Sequence, residues 1–564
     1  MADAGILLPE ISKIAGEIFC NIDRHRERSE LRIPACAPES ADRATLAKSS
    51  CKSSKSNPRI VTGLKQNAAP SPGIHGADRG WAPRLAQEAR LKQLDNELVR
   101  HAAWGTGINA EIERAVLLGA LNRQQDAQQA FVDILRRAPT NFSALNEFGT
   151  LLTNMGAIDA ACRVYAEAIA HHPENPIGHV NLANLLLRAN RHAEARVHYE
   201  AVLKIDPGHA PAHQGLGAVL ADIGDRAAAS RHFEKGFRDH AVSSLPYRGT
   251  APPVALLQLV SSGGGNIPTA PFLDDRVFLT SVIVADYFDS TGPLPPHQLI
   301  FNAVGDADLC QPALRAAARL VGRTGAPVIN DPRAVMKTGR IGNAERLCAI
   351  PGVVTPRTLA MARHTLAGPD GAASIANQGF GFPLLLRSPG YHTGRNFILV
   401  EAAAELSAAA AGLPGDDLLV IEYLDARGQD GKARKYRVMM IDGTIYPSHL
   451  AISKNWKVHY FTSDMADHGE YRREEANFLG DMPATLGRKA MAALERIRDC
   501  LGLDYAGVDF AVGPDGDVLL FEANATMVIA PPAADERWTY RRAAIERIRD
   551  AVVAMIMRKS YQPG

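Results

Sequence analysis

Cysteine is scarce and scattered, with seven residues at positions 20, 36, 51, 162, 310, 348 and 500 and no CxxC pair among them. That spacing excludes a zinc-ribbon type of site and a disulfide framework, and reads as the reduced thiols of a cytoplasmic protein. Cys162 and Cys500 fall in apolar helical patterns, where a thiol serves packing. Long apolar runs are missing as well; none approaches the roughly 18 residues of a membrane-spanning helix. The start, Gly5 to Cys20, is interrupted by Pro9, Glu10, Lys13 and Glu17 and makes a poor secretory signal. Nor does one charge dominate: 62 basic residues face 61 acidic ones, a net charge of +1. A dedicated nucleic-acid binder needs a basic surplus on one face, so neither nucleic acid nor membrane is expected as a partner. Finally, no convincing Ser–His–Asp or Cys–His set stands out.

What is present divides the 564 residues into several parts, since that length exceeds one core. Residues 1–82 are basic and serine-rich; Arg43 to Lys65 holds six basic residues and no acidic one. Such composition buries too little apolar surface to offset the entropy of ordering, so a solvated tail is expected, with a tether for an anionic partner as the alternative. A strict period follows. Ala127, Ala161, Ala195 and Ala229 recur every 34 residues, as do Phe131, Tyr165, Tyr199 and Phe233. Pro139, Pro173 and Pro207 keep the interval, and Gly149, Ala183 and Gly217 add a small residue in phase. The pattern resembles the tetratricopeptide repeat, in which small residues sit where paired helices touch and proline follows each second helix. It predicts an all-α solenoid over 83–245, with about four repeats in 108–241 and a further helix around Arg84 to His101. Stacked helix pairs make a concave surface for a protein or peptide; the alternative is that they only brace the rest. Asn146, Asn181, Asn184, Arg188 and His213 fall on first helices and are candidates for that surface.

From Pro252 short apolar runs alternate with helical patterns: Val254 to Val260, Phe278 to Tyr287, Leu299 to Val304 and the helix Ala313 to Val321. An α/β subdomain with a mostly parallel sheet is expected over 246–345. Ligands commonly sit beyond strand ends in such sheets, which makes Gly264 and Asn266 candidate substrate contacts, although a tight turn explains them equally. Asn302, Asp306 and Asp308 share that ambiguity. Near the other end, Val508 to Val512 and Val518 to Phe521 flank the turn Gly513-Pro514-Asp515-Gly516 and read as a hairpin. Pairing across it brings Asp509 near Glu522 with Asn524 just beyond. Two carboxylates and an amide oxygen suit a hard cation such as Mg2+; the alternative is an ordinary polar hairpin end.

The whole stretch from Pro253 to Arg558 resembles the ATP-grasp superfamily, enzymes that activate a carboxylate with ATP and mostly join it to an amine. The resemblance rests on segments in the family's order. Val328-Ile329-Asn330-Asp331-Pro332 with Lys337-Thr338-Gly339-Arg340 and Asn343 is similar to the link into the nucleotide-binding part. Phe382 to Arg387 followed by Ser388-Pro389-Gly390-Tyr391-His392-Thr393-Gly394 resembles the phosphate-covering strand and loop, with arginine at 387 where the family usually has lysine. Arginine keeps the charge and binds oxyanions bidentately. Leu418 to Leu424 resembles the adenine-holding strand, and Tyr436 to Gly443 the next hairpin. The implied fold is multidomain: an all-α solenoid, an α/β pre-ATP-grasp subdomain (246–345) and an α+β ATP-grasp domain (346–564).

The resemblance implies ATP and Mg2+ or Mn2+ as cofactors. Arg340, Arg387 and Arg437 would act on the transferring phosphoryl group, Gly390 and Gly394 would cover the phosphates, and Glu422, Tyr423 and Leu424 would hold the nucleoside. Asp509, Glu522 and Asn524 match the metal ligands. The segment Tyr446 to Tyr460, with His449, Lys454, Asn455 and Trp456, would face the acceptor; a hydrated loop with one anchoring tryptophan is the alternative. The expected activity is carbon–nitrogen ligation with release of ADP, on a small-molecule or peptide carboxylate. Two other classes stay open: a repeat scaffold carrying a nucleotide switch, and a phosphotransferase with a hydroxyl acceptor.

Overall fold

A computed structural model describes residues 81–101, 107–391, 394–458, 463–533 and 535–561. The basic first segment up to residue 80, and His392, Thr393, His459 and Tyr460, lie outside the described residues. The chain divides into two compact units, one reaching Val219 and the other running from Leu220 to the end.

The period of the sequence reappears as helix pairs. After α1 (Trp81–His101) come α2 (Ile108–Ala120) and α3 (Gln124–Arg137), α4 (Phe142–Asn154) and α5 (Ile158–His171), α6 (Pro176–Arg188) and α7 (His192–Ile205), and α8 (Ala210–Asp222) and α9 (Arg226–Phe237). Asn141 and Asn175 cap α4 and α6, each side chain accepting a backbone N–H of the first turn. The phased alanines and aromatics are buried throughout, from Ala127, fully buried, to Phe233. Small size at Gly149 is enforced by an aromatic: a Cβ there would lie 2.6 Å from Tyr165 Cε1. Gly149→Val should therefore cost about 1–3 kcal/mol by overpacking, read as a lowered melting temperature, whereas an unchanged one would mean the helices can part freely. A second contact of this kind lies off the period, since a Cβ on Gly215 would meet Tyr199 Cζ at 2.2 Å.

Three sheets make up the rest. The first has the order β1-β3-β2-β4-β5 (Val242–Ser244, Phe278–Val284, Val254–Val260, Leu299–Asn302, Val328–Ile329). It is parallel except for β1, which pairs antiparallel with β3. Residues 242–244, which the sequence assigned to the solenoid's end, thus belong to the sheet edge. Its apolar strands pack under α10 (Gln311–Val321) through Leu257, Ile283, Ile300, Ala317 and Leu320. The second sheet is antiparallel, β7-β10-β8-β9 (Thr358–Ala362, Asp417–Glu422, Leu384–Arg387, Phe397–Val400).

The third has the order β12-β11-β13-β14-β6 (Thr444–Ser453, Ala433–Ile441, Tyr505–Val512, Val518–Asn524, Val353–Val354). Three long helices accompany it: α11 (Gly469–Gly480), α12 (Met482–Leu501) and α13 (Arg542–Ser560). Asn330 joins the first sheet to the third. Fully buried, with φ +57°, it donates its amide to Tyr505 O and accepts Tyr505 N, both at 2.8 Å. Its short polar side chain both tolerates the left-handed backbone and supplies the weld.

Candidate functional site

The hairpin register is the one the alternation predicts: Asp509 lies opposite Glu522, and Gly507 opposite Asn524. On the other side of β13, Asp509 pairs with Arg437 of β11. Arg437 reaches Asp509 with both arms, Nε to Oδ1 at 2.6 Å and Nη2 to Oδ2 at 2.8 Å, and Lys435 Nζ adds a third bond at 3.0 Å. Lys435 and Arg437 are two apart on one strand and so share a face. Asp509 is buried; desolvation alone would raise its carboxyl, but Arg437 and then Lys435 outweigh it and hold the pKa far below the usual carboxylate range. Opposite Arg437 in β12 stands His449. Burial, reinforced by Arg437, pushes its pKa well down, so the ring is neutral near pH 7.

Glu522 has a different environment. About a quarter of its side chain is exposed, and its partners are Arg340 Nη2 and Asn524 Nδ2, the latter at 2.8 Å. Arg340 opens a short helix (Arg340–Leu347), and its backbone N–H donates to both Asp308 oxygens at 3.2 Å. Asn343, one turn on, donates to Ala523 O at 2.7 Å. The approach is close: a Cβ on Gly339 would meet Asp308 Oδ1 at 2.7 Å, so a side chain there would have to displace that carboxylate. A cleft of about 60 Å3 opens between Asp306 and Asp308 of the first sheet's loop, Thr358 and Ile421 of the second sheet, and Glu522 and Asn524 of the third, with Arg340 on its wall. Arg387, at the end of β8, donates to Tyr391 O and lies 5.5 Å from the Phe397 ring centre. Burial and then the neighbouring Arg340 push its pKa down to about 10.

Around the end of β10, Glu422 is exposed and accepts Arg357 N at 3.1 Å, while Leu424 is half-buried. Tyr423 meets Trp456 edge-on at 6.5 Å between ring centres, and Trp456 meets Phe397 at 5.6 Å. Trp456, which chain order assigned to the acceptor side, therefore stands beside the residues assigned to the nucleoside. Lys454 and Asn455 are exposed. Their backbone N–H groups donate to Asp464 and Ser453. Gly390 and Gly394 both have positive φ, +80° and +71°.

Other sequence candidates have local duties. Asn266 spends its amide on Ser261, accepting its N–H and donating to its C=O at 2.8 Å each, and so closes the strand-end loop beside Gly264 (φ +90°). In the solenoid, Asn181 donates to Asn146 at 2.7 Å, Tyr199 OH donates to Asn184 at 2.5 Å, and Arg188 is exposed. His213 does not line a surface: it is buried, with Nε2 donating to Pro207 O at 3.0 Å. Among the described cysteines, Cys162 and Cys500 are only partly buried, Cys348 is exposed and Cys310 is buried.

Sequence reasoning passed over Lys435 and left Asp308 undecided. Lys435 had a readable signal, the two-residue spacing from Arg437; Asp308 had none, because its partner Arg340 is fixed by tertiary folding. Among the described residues no group of three or more His, Cys, Asp or Glu side chains could hold a metal ion. The hard-oxygen set is two carboxylates and an amide. Of these, Asp509 is committed to two cations, and Asn524 Oδ1 accepts from Thr526 N and Oγ1 at 2.9 Å. Glu522 stands in the cleft wall, paired with Arg340 and Asn524.

The tetratricopeptide repeat family model matches residues 152–218 and 186–245. The helical part carries tetratricopeptide repeats. "Uncharacterized protein y4yS" of Sinorhizobium fredii is 31% identical over 98 residues, 17% of this chain and 52% of that protein. The chain thus spans about half the length of this curated relative. Among solved structures, MamA from Desulfovibrio magneticus RS-1 is 22% identical with a TM-score of 0.25, over 28% of this chain and 87% of that one. A tetratricopeptide repeat protein from Parabacteroides merdae is 14% identical with a TM-score of 0.26, over 28% of this chain and 61% of its own. No helix among the described residues is long and apolar enough to cross a membrane.

Proposed function

We propose that the C-terminal half is an ATP-grasp type ligase. It activates a small-molecule or peptide carboxylate as an acylphosphate and passes the acyl group to an amine or another nucleophile, releasing ADP, while the repeats bind a protein or peptide partner. What carries the reading is convergence. Arg340 and Glu522, an ion pair, line the cleft; the Arg437–Asp509 pair acts on Glu522 electrostatically and Arg340 acts on Arg387, although these residues come from segments spread across nearly 200 residues.

In this mechanism a carboxylate oxygen attacks the γ-phosphorus, the bond to the bridging oxygen of ADP breaks, and the acylphosphate forms. Arg387 has no carboxylate within ion-pair distance among the described residues, which leaves its guanidinium ready for phosphate oxygens. Arg340 orients toward the same space, and Asp509 fixes Arg437 rather than standing ready itself. Tyr423, Leu424 and the backbone ending β10 offer an apolar slot for the base. Mg2+ or Mn2+, held at Glu522 with Asn524 beside it, would neutralise charge on the phosphates. The amine then attacks the acyl carbon, phosphate leaves, and the amine's proton passes to solvent.

The test screens pools of amino acids, hydroxy acids and short peptides for ADP release with the full-length protein, then adds hydroxylamine. A hydroxamate is expected, with carboxylate 18O recovered in phosphate. An acid that drives ADP release but yields neither would end the ligase reading, and a stable phosphorylated product would install the phosphotransferase in its place.

A further inference from the structure

Gly390 and Gly394 each lie against a cation from elsewhere in the fold. At Gly390 the absent side chain is replaced by Arg226: a Cβ there would lie 2.3 Å from Arg226 Nη2. At Gly394 the same space belongs to Lys457, whose Cε would be 2.7 Å away. Between them Arg387 donates to Tyr391 O. Both glycines have a positive φ, a backbone conformation that disfavours any other residue. No carboxylate among the described residues lies within ion-pair distance of Arg226, Arg387 or Lys457; Lys457 Nζ donates to a carbonyl, Phe397 O, at 3.0 Å. Three cations beside Gly390, Tyr391 and Gly394, none with a carboxylate within ion-pair distance among the described residues, form a surface complementary to a polyanion.

Arg226 is the unexpected member. It opens α9, the last helix of the repeat array, where the Asp225 side chain caps by accepting Ala228 N at 3.0 Å. The turn before it approaches Tyr391, since a Cβ on Gly224 would lie 3.2 Å from Tyr391 Oη. Farther along, Phe237 stacks on Tyr287, in the turn that follows β3, at 5.7 Å, so α9 is anchored at both ends. The guanidinium itself is exposed, on a fixed helix start, facing Gly390.

We propose that Arg226 is a phosphate-binding residue of the nucleotide site, supplied by the last repeat helix beside Gly390 and Tyr391. The inference rests on the nucleotide reading given above. The repeat array and the enzyme would then share one site, and the 34-residue period would end in a residue with a chemical task.

Isothermal titration of the full-length wild type, Arg226→Ala and Arg226→Lys with Mg-ATP, Mg-ADP and AMP tests it. Arg226→Ala should bind Mg-ATP about tenfold more weakly, the scale of one charge-assisted hydrogen bond, and AMP as the wild type does. Arg226→Lys should recover part of the loss. Equal Mg-ATP affinity in wild type and Arg226→Ala would overturn the assignment, and so would an equal loss for AMP and ATP, which marks a merely structural role. A wild type that binds none of the three would instead overturn the nucleotide reading on which the assignment stands. If Arg226→Ala does not fold, Arg226→Gln carries the same comparison.

Discussion

Asp509→Asn should destabilise the C-terminal unit by about 3–5 kcal/mol, the usual cost of breaking a buried ion pair by removing one partner. The shapes are almost identical, so packing is unaffected. What changes is that Arg437 and Lys435, both facing a carboxylate that is 3% exposed, lose the charge that compensates their burial. The amide's one oxygen cannot replace two, and its NH2 points a donor at donors. Chemical denaturation should show a lower midpoint with an unchanged slope. A loss under about 1 kcal/mol would mean that water or rearrangement replaces the pair. The pH dependence has a definite sign. Asp509's folded pKa is depressed, so its contribution is complete above its unfolded value, near pH 4, and is lost as pH falls from there through the folded value. Wild type and Asp509→Asn should therefore differ by a constant amount across neutral pH and converge only in strong acid.

Much of this arrangement was legible in the chain. A period of 34 placed eight helices because each repeat must bury the same small and aromatic residues against its neighbours. Alternation around Gly513-Pro514-Asp515-Gly516 set the hairpin register, because a slip by one residue would turn its apolar face to solvent. What the sequence left open is what lies across sequence distance. It offered Asp509 as an oxygen ligand, and only the fold shows that Lys435 and Arg437 occupy it. It split His449 and Trp456 from the nucleoside residues by chain order, whereas folding brings Trp456 to Tyr423 and His449 opposite Arg437. Gly215 was invisible because its need for smallness comes from Tyr199 of the preceding repeat, not from the period. Asn266 read equally as a substrate contact or a turn residue, because a loop-closing amide and a binding amide look alike until both ends are seen to be used.

Glu522→Gln should behave in the opposite way to Asp509→Asn, losing turnover while keeping most of the stability. The two carboxylates face each other across one hairpin, yet Asp509 is locked by two cations and buried, while Glu522 keeps a quarter of its side chain exposed in the cleft wall. Its cationic partner Arg340 has a second carboxylate, Asp308, whose Oδ2 lies 3.9 Å from Nε, so the guanidinium is not abandoned when Glu522 is neutralised. Stability should therefore fall by no more than about 1 kcal/mol, as for a partly exposed pair. A hard divalent cation depends on carboxylate charge, and an amide oxygen does not replace it. If Glu522 holds the metal of the proposed reaction, Mg-dependent ADP release should drop by about 100- to 1,000-fold, the scale seen when one electrostatic stabiliser is removed from a preorganised site. The half-saturating Mg2+ concentration should rise in the same variant. A stable Glu522→Gln protein with wild-type turnover and wild-type Mg2+ dependence would remove Glu522 from the metal site, and with Asp509 already committed to Arg437 and Lys435, the cation would have to bind elsewhere.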